Sequence, residues 1–202
     1  MIRNAFALLD SMPDGPYRFL LESDDDTFNY FSNFIHRTFN GTDCIFFLKS
    51  LQNIYINHGG LKSVFEEGYN QSGNIPSAII HFRNIFFSIP FPSRTLKHIA
   101  DIGNNAAGKR INMFLRWMVR KDTRGVDFGL WAIPPSALYM PLDLHSGRIS
   151  RELGLLKRKQ DDWKAVRELT YKLREFDPDD PVKYDFALFG LGAAGKNFNY
   201  GQ

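Results

Sequence analysis

Apolar residues recur at three- and four-residue steps through nearly all of this chain, which is the spacing of one face of a helix. Trp163, Val166, Leu169 and Leu173 show it most plainly. Phe28, Phe31, Phe34 and Ile35 repeat it, as do Ile45, Leu48, Leu51 and Tyr55, and then Ile79, Ile80, Phe82, Ile85 and Phe86. No segment alternates with a period of two for long enough to make a convincing strand. Proline and glycine turns cut the pattern into short pieces, at Pro13-Asp14-Gly15-Pro16, His58-Gly59-Gly60 and Gly68–Asn74. The expected fold is therefore all-α, with roughly eight to ten short helices and short connections.

Local signals place the pieces. Ile2–Leu9 is apolar-rich and helical, although Met1 before it is no capping residue. Ser23–Thr27 is an acidic loop and helix start, and Gly41-Thr42-Asp43 caps the next helix. A short helix follows near Leu61–Glu67. Pro76 suits a first helical position. Ser93–Ala100 and Gly108–Arg120 read as two helices joined by the small-residue turn Gly103–Gly108. In the second, Ile111, Phe114, Leu115 and Met118 share a face, and Lys109, Arg116 and Arg120 fall largely elsewhere. Gly125–Leu142 is loop-like around Pro134-Pro135. Asp143 then opens a helix, Asp161 or Asp162 caps another, and Asp177–Pro181 leads into a final one carrying Phe186, Leu188 and Phe189. Residues 1–190 make a single domain. Residues 191–202 form a glycine-rich tail.

Composition narrows the function. A chain of 202 residues that is 44% apolar, with nineteen Phe, can bury a substantial core. It has no run of eighteen apolar residues and no signal-peptide order at the N-terminus, so no membrane partner is expected. One cysteine, Cys44, cannot form an internal disulfide, which fits a reducing, cytoplasmic setting. The cysteine and five histidines have no zinc or iron–sulfur spacing, and no P-loop or dinucleotide fingerprint appears. No metal and no cofactor is expected. Charge is unevenly spread. Between Arg83 and Arg124, nine basic residues face only Asp101 and Asp122, giving +7 and leaving −4 for the rest of a chain whose net charge is +3. Such a block is either a phosphate-binding face or a solvated surface clustered only in sequence.

Two constellations carry possible chemistry. The first is the Ser93–Arg120 hairpin. Its small-residue turn lets backbone approach a ligand closely, and N–H groups of the helix after Gly108 can hold a phosphate with Lys109 and Arg110. The plain alternative is a helical hairpin whose turn merely needs glycine. The second is Asp143. A carboxylate at a pocket mouth can stabilise a positive sugar transition state or activate water, as in glycosidic-bond cleavage. As an ordinary N-cap the same group contributes about 1 kcal/mol. The roles are compatible, because capping holds the carboxylate rigidly. His145 reads first as a structural histidine. Arg148 and Arg151 read as surface or phosphate-facing residues. Trp117, Trp131 and Trp163 read as core, and Tyr139 as packing, with stacking on a base as its alternative.

Read together, Leu142-Asp143-Leu144-His145-Ser146-Gly147-Arg148-Ile149 and the upstream glycine hairpin resemble the helix-hairpin-helix DNA glycosylases of the endonuclease III type. Those enzymes carry a Val-Asp-Thr-His segment ending in Arg-Val, and Leu144 replaces the Thr. The Ser150–Leu155 run resembles the family's continuation, and the Asp185–Gly190 helix its closing helix. A nearer resemblance is to an uncharacterised bacterial family known only as a domain of unknown function. It rests on Lys109–Asp122, on Gly125-Val126-Asp127-Phe128-Gly129 and on Pro181–Gly190.

The glycosylase resemblance implies a two-lobed helical fold lacking some N-terminal helices, with an apolar N-terminal surface open to self-association. It implies that Asp143 is the catalytic aspartate and DNA the partner, held by Gly108, Lys109, Arg110 and Arg148. Where the glycosylase hairpin has two glycines, Ala106 and Gly108 stand here. Arg110 occupies the place of the nucleophilic lysine, and arginine stays protonated. Hydrolytic base release assisted by Asp143 is thus expected rather than a lyase reaction, unless Lys109 substitutes. The alternatives are a nucleic-acid-binding or structural helical domain without the chemistry.

Overall fold

The computed structural model describes residues 2–194, and they fall into two compact units. The first comprises Met1–Glu67 and His81–Ile99, the second Gly68–Ile80 and Ala100–Gln202. No helix among the described residues is long and apolar enough to cross a membrane.

In the first unit, α1 (Ile2–Asp10), α2 (Pro16–Glu22) and α3 (Asp25–Asn29) precede α4 (Gly41–Asn57). Each start has a local cause. Pro16 opens α2, and Asp24 caps α3 by accepting the Thr27 N–H at 2.8 Å. Asn40 and Asp43 form a reciprocal capping box at α4. Phe19, Leu20, Phe28, Phe31, Cys44 and Leu48 pack into one core. Each such side chain contributes about 1.5–3 kcal/mol by leaving water. Gly41 has no alternative, because a Cβ there would lie 1.8 Å from the Ser32 carbonyl oxygen. Phe6 and Leu9 of α1 are exposed.

Two features depart from the sequence reading. Ile35–His36 and Phe39–Asn40 pair as antiparallel strands β1 and β2, too short to show a period. The segment expected as a helix over Ser93–Ala100 is a 3-10 turn, Ser93–His98. Pro90 and Pro92 before it cannot donate to a helical ladder, and the turn is held by side chains instead. Arg94 and His98 reach the fully buried Asp43 carboxylate, at 3.3 and 3.1 Å from Oδ2. Helices α5 (Gly60–Ser72) and α6 (Ile75–Phe86) follow α4, and the Phe65 and Phe82 rings stack at 4.6 Å.

The second unit holds α7 (Lys109–Val119), α8 (Leu144–Glu152), α9 (Trp163–Arg174) and α10 (Asp185–Ala193). Asp162, not Asp161, caps α9 through the Ala165 N–H. Leu138–Leu142 is extended and buried, and the Thr170 hydroxyl accepts the Met140 N–H at 3.1 Å. Helix α10 reaches Ala193, so the expected tail begins inside a helix. Its last part, 195–202, lies outside the described residues. On α7 the buried positions are Asn112, Leu115, Arg116 and Val119. The buried face is thus turned away from the expected one, and Arg116 lies inside it. Trp117, expected in the core, is consequently more than a third exposed.

Candidate functional site

The buried Leu138–Leu142 segment delivers Asp143 to the start of α8 with extended backbone. Its Oδ1 accepts the Ser146 N–H at 2.8 Å, and its own N–H donates to Ser146 Oγ at 2.9 Å. This reciprocal box fixes the carboxylate. Its other oxygen, Oδ2, accepts a hydrogen bond from Lys109 Nζ at 2.8 Å. Burial alone would push the Asp143 carboxyl up. Hydrogen bonds from Lys109 and Ser146 more than offset that and hold the group below its ordinary value.

Lys109 reaches Asp143 because α7 starts there. Gly108 ends the preceding turn in the left-handed region, with φ 64°, and is buried. A Cβ at that point would lie 3.1 Å from Ile102 Cγ2. Tight turn geometry and a short approach therefore place Lys109 at the first position of α7.

Lys109 and Asp143 form part of the wall of a cavity of about 220 Å³. Trp117, Phe186 and Phe189 give it aromatic sides, and Met113 and Pro141 add apolar surface. Arg116 and Asp185 complete the polar part. Arg116 is 1% exposed, which is tolerable only because its charge is matched. Its Nη1 donates to Asp185 Oδ2, its Nη2 donates to Asp127 Oδ2 at 3.1 Å, and its guanidinium lies 4.0 Å from the Phe186 ring centre. Arg120 also donates to Asp127 and grips Asp180 in a two-pronged contact at 2.8 and 2.7 Å. Asp127 Oδ1 is buried without a hydrogen-bond partner among the described residues. Burial pushes the Asp185 carboxyl up, and the charge of Asp143 adds to that. Arg116 opposes it without cancelling it. One cavity thus carries two carboxyls displaced in opposite directions.

The residues singled out from sequence do not all meet here. Lys109 and Asp143 do, on the turn ended by Gly108. Arg110 is exposed and does not line the cavity. Arg148 donates to Glu152 at 2.7 Å and to the Gly192 carbonyl at 3.0 Å, so it ties α8 to α10. His145 packs edge-on against the Phe189 ring at 5.7 Å. Tyr139 is buried against Trp163, as its packing role predicts. The basic block is divided between the two units, and part of it is paired. Arg83, Arg94 and Lys97 belong to the first unit, and Lys109, Arg116 and Arg120 are matched by aspartates of the second. A more open depression of about 540 Å³ shares Phe186 with the cavity and is lined by Arg120, Asp122, Arg124 and Lys183.

Sequence reasoning missed Arg116, Asp127 and Asp185. The available signal was a charged residue at Asp185, opening an otherwise apolar helix, DFALFGLGA. Among the described residues no group of three or more His, Cys, Asp or Glu could hold a metal ion.

The family described as "Protein of unknown function (DUF2400)" matches residues 1–194 of the chain. No curated protein and no solved structure matches it.

Proposed function

We propose that this chain, which belongs to the DUF2400 family of proteins of unknown function, releases bases from nucleic acid by cleaving the N-glycosidic bond. The observation that carries this reading is the Lys109–Asp143 pair, at 2.8 Å, on the wall of an aromatic-sided cavity. An extruded base stacks between Trp117, Phe186 and Phe189, offsetting some of the unstacking cost. Asp143, held ionised, faces the sugar. There it stabilises the positive charge that develops at C1′ and takes a proton from the attacking water. The C1′–oxygen bond forms, the C1′–nitrogen bond breaks, and its electron pair leaves with the base. Gly108 lets the phosphate backbone approach the start of α7, and Arg110 there and Arg124 in the open depression supply positive charge for it.

A second reading is favoured by the same contact. Lys109 brings a primary amine to the carboxylate, which Arg110 does not. If Lys109 Nζ, having given a proton to Asp143, attacks C1′ in place of water, the C1′–nitrogen bond breaks and its electron pair leaves with the base. Loss of the second Nζ proton and opening of the C1′–O4′ bond, with a proton taken up by O4′, then leave an imine joining enzyme and sugar. Base release from a panel of damaged duplexes, by the wild type and by Asp143→Asn, tests the proposal. Equal rates in the two proteins would refute it. Borohydride trapping of an enzyme–DNA adduct, lost in Lys109→Gln, would select amine attack over water. Salt-sensitive binding without base release would instead identify a nucleic-acid-binding module, and no binding at all a structural domain.

A further inference from the structure

We propose that Asp185 makes this cavity selective for planar rings that carry an exocyclic amino group, over equally sized rings that lack it and bring no ring N–H in its place. The inference rests on reading the cavity as a base pocket and adds which class of base it accepts. Trp117, Phe186 and Phe189 supply three aromatic side chains to the lining, and Met113 adapts to whatever lies against it. Shape alone does not choose among bases, because every base has a flat face. Selection therefore falls to the polar groups.

The charged groups of the wall are unequally committed. Arg116 spends Nε and Nη2 on Asp127 and Nη1 on Asp185, and Phe186 covers its face. Lys109 is engaged with Asp143. Asp143 in turn has Oδ1 on Ser146 and Oδ2 on Lys109. Asp185 differs. Among the described residues its carboxyl receives hydrogen bonds from Arg116 alone, through Oδ2. Oδ1 retains its accepting capacity, on a side chain that is only 8% exposed and lines the cavity. A buried acceptor with spare lone pairs favours a ligand that brings an N–H and disfavours one that brings a second oxygen.

Cytidine and its 4-deamino analogue, the riboside of 2-pyrimidinone, make the decisive pair. They share the same ring, differ only in the amino group, and the analogue has no ring N–H to put in its place. Adenosine and purine riboside repeat the comparison on a larger ring. The experiment titrates each nucleoside into the wild-type protein and follows tryptophan fluorescence, with Trp117 as the reporter in the wall. Cytidine should bind about tenfold more tightly than its deamino analogue, and adenosine than purine riboside, the size of one satisfied buried hydrogen bond to a charged acceptor. Asp185→Asn, which offers a donor as well as an acceptor, should abolish the preference. Phe189→Leu should weaken all four ligands alike and leave the ratio intact, a control independent of how well Asp185→Asn folds. Equal affinities within a pair in the wild type, or no saturable binding of any of the four, would overturn the inference. Base release is scored separately. Selective binding without release leaves Asp185 as the selector and removes the glycosidic chemistry. Release with equal nucleoside affinities does the reverse.

Discussion

Lys109 Nζ and Asp143 Oδ2 are 2.8 Å apart although 34 positions separate the residues in the chain. The pair joins the first residue of one helix to the cap of another, so the same two side chains close the fold and furnish the proposed chemistry. Structural and chemical roles can be separated by substitution. Asparagine caps a helix as well as aspartate does, but it carries no charge. Asp143→Asn should therefore fold and bind DNA within about threefold of the wild type, while base release falls by about 10²-fold or more. Parallel binding and single-turnover assays check both halves.

Acid stability follows from the direction of the Asp143 shift. Its carboxyl titrates lower in the folded chain than unfolded. The folded state therefore gains from the ionised group above the ordinary carboxylate range, and that gain is lost as pH falls through the folded value. Asp185 has the opposite sign, because burial raises its value, so its contribution is present at low pH and lost as pH rises through the folded value. The melting temperature of the wild type should exceed that of Asp143→Asn at neutral pH. The difference should shrink as pH falls through the folded value of Asp143, which lies below the ordinary carboxylate range. A difference that does not vary with pH would assign Asp143 no ionic role.

The buried Arg116 predicts strong coupling. Replacing it by Met leaves the buried Asp185 short of its cation, whereas Asp127 keeps Arg120. Uncompensated buried charge is costly, and the expected loss is about 3–5 kcal/mol in urea unfolding. Adding Asp185→Asn removes the stranded charge and should recover part of that loss. The double variant should thus be more stable than the sum of the two single changes predicts.

Arg116 also shows where sequence reading stops. Helices α4 and α9 were legible because their starts, caps and apolar spacing are local, and Asp143 was legible because a cap and a possible catalytic carboxylate look alike from sequence. Arg116 is different. Its partners are Asp127, past the end of its helix, and Asp185, 69 positions further on. Nothing within α7 announces them, so the apolar residues Ile111, Phe114 and Met118 took the face that Asn112, Arg116 and Val119 in fact share with Leu115. The aromatic sides of the cavity were hidden for a similar reason. Trp117 read as core and Phe189 only as part of the last helix, yet each is exposed enough to line a site.

Two glycines of α10, two residues apart, should respond oppositely to alanine. At Gly190 a Cβ would meet nothing within 4 Å. Alanine there removes backbone freedom from the unfolded chain and should stabilise the protein by about 0.5–1 kcal/mol. At Gly192 a Cβ would lie 2.7 Å from the His145 carbonyl oxygen and 2.9 Å from its carbon. Those are backbone atoms of α8, which cannot swing aside as a side chain can. The helices must separate instead, at a cost of about 1–3 kcal/mol that outweighs the helical gain. Separation also withdraws the Arg148 contact to the Gly192 carbonyl and shifts Asp185, Phe186 and Phe189, which α10 carries into the cavity wall. Gly192→Ala should therefore unfold at lower urea and weaken nucleoside binding, whereas Gly190→Ala should unfold at higher urea and bind as the wild type does. Urea midpoints and one titration for each variant check both outcomes.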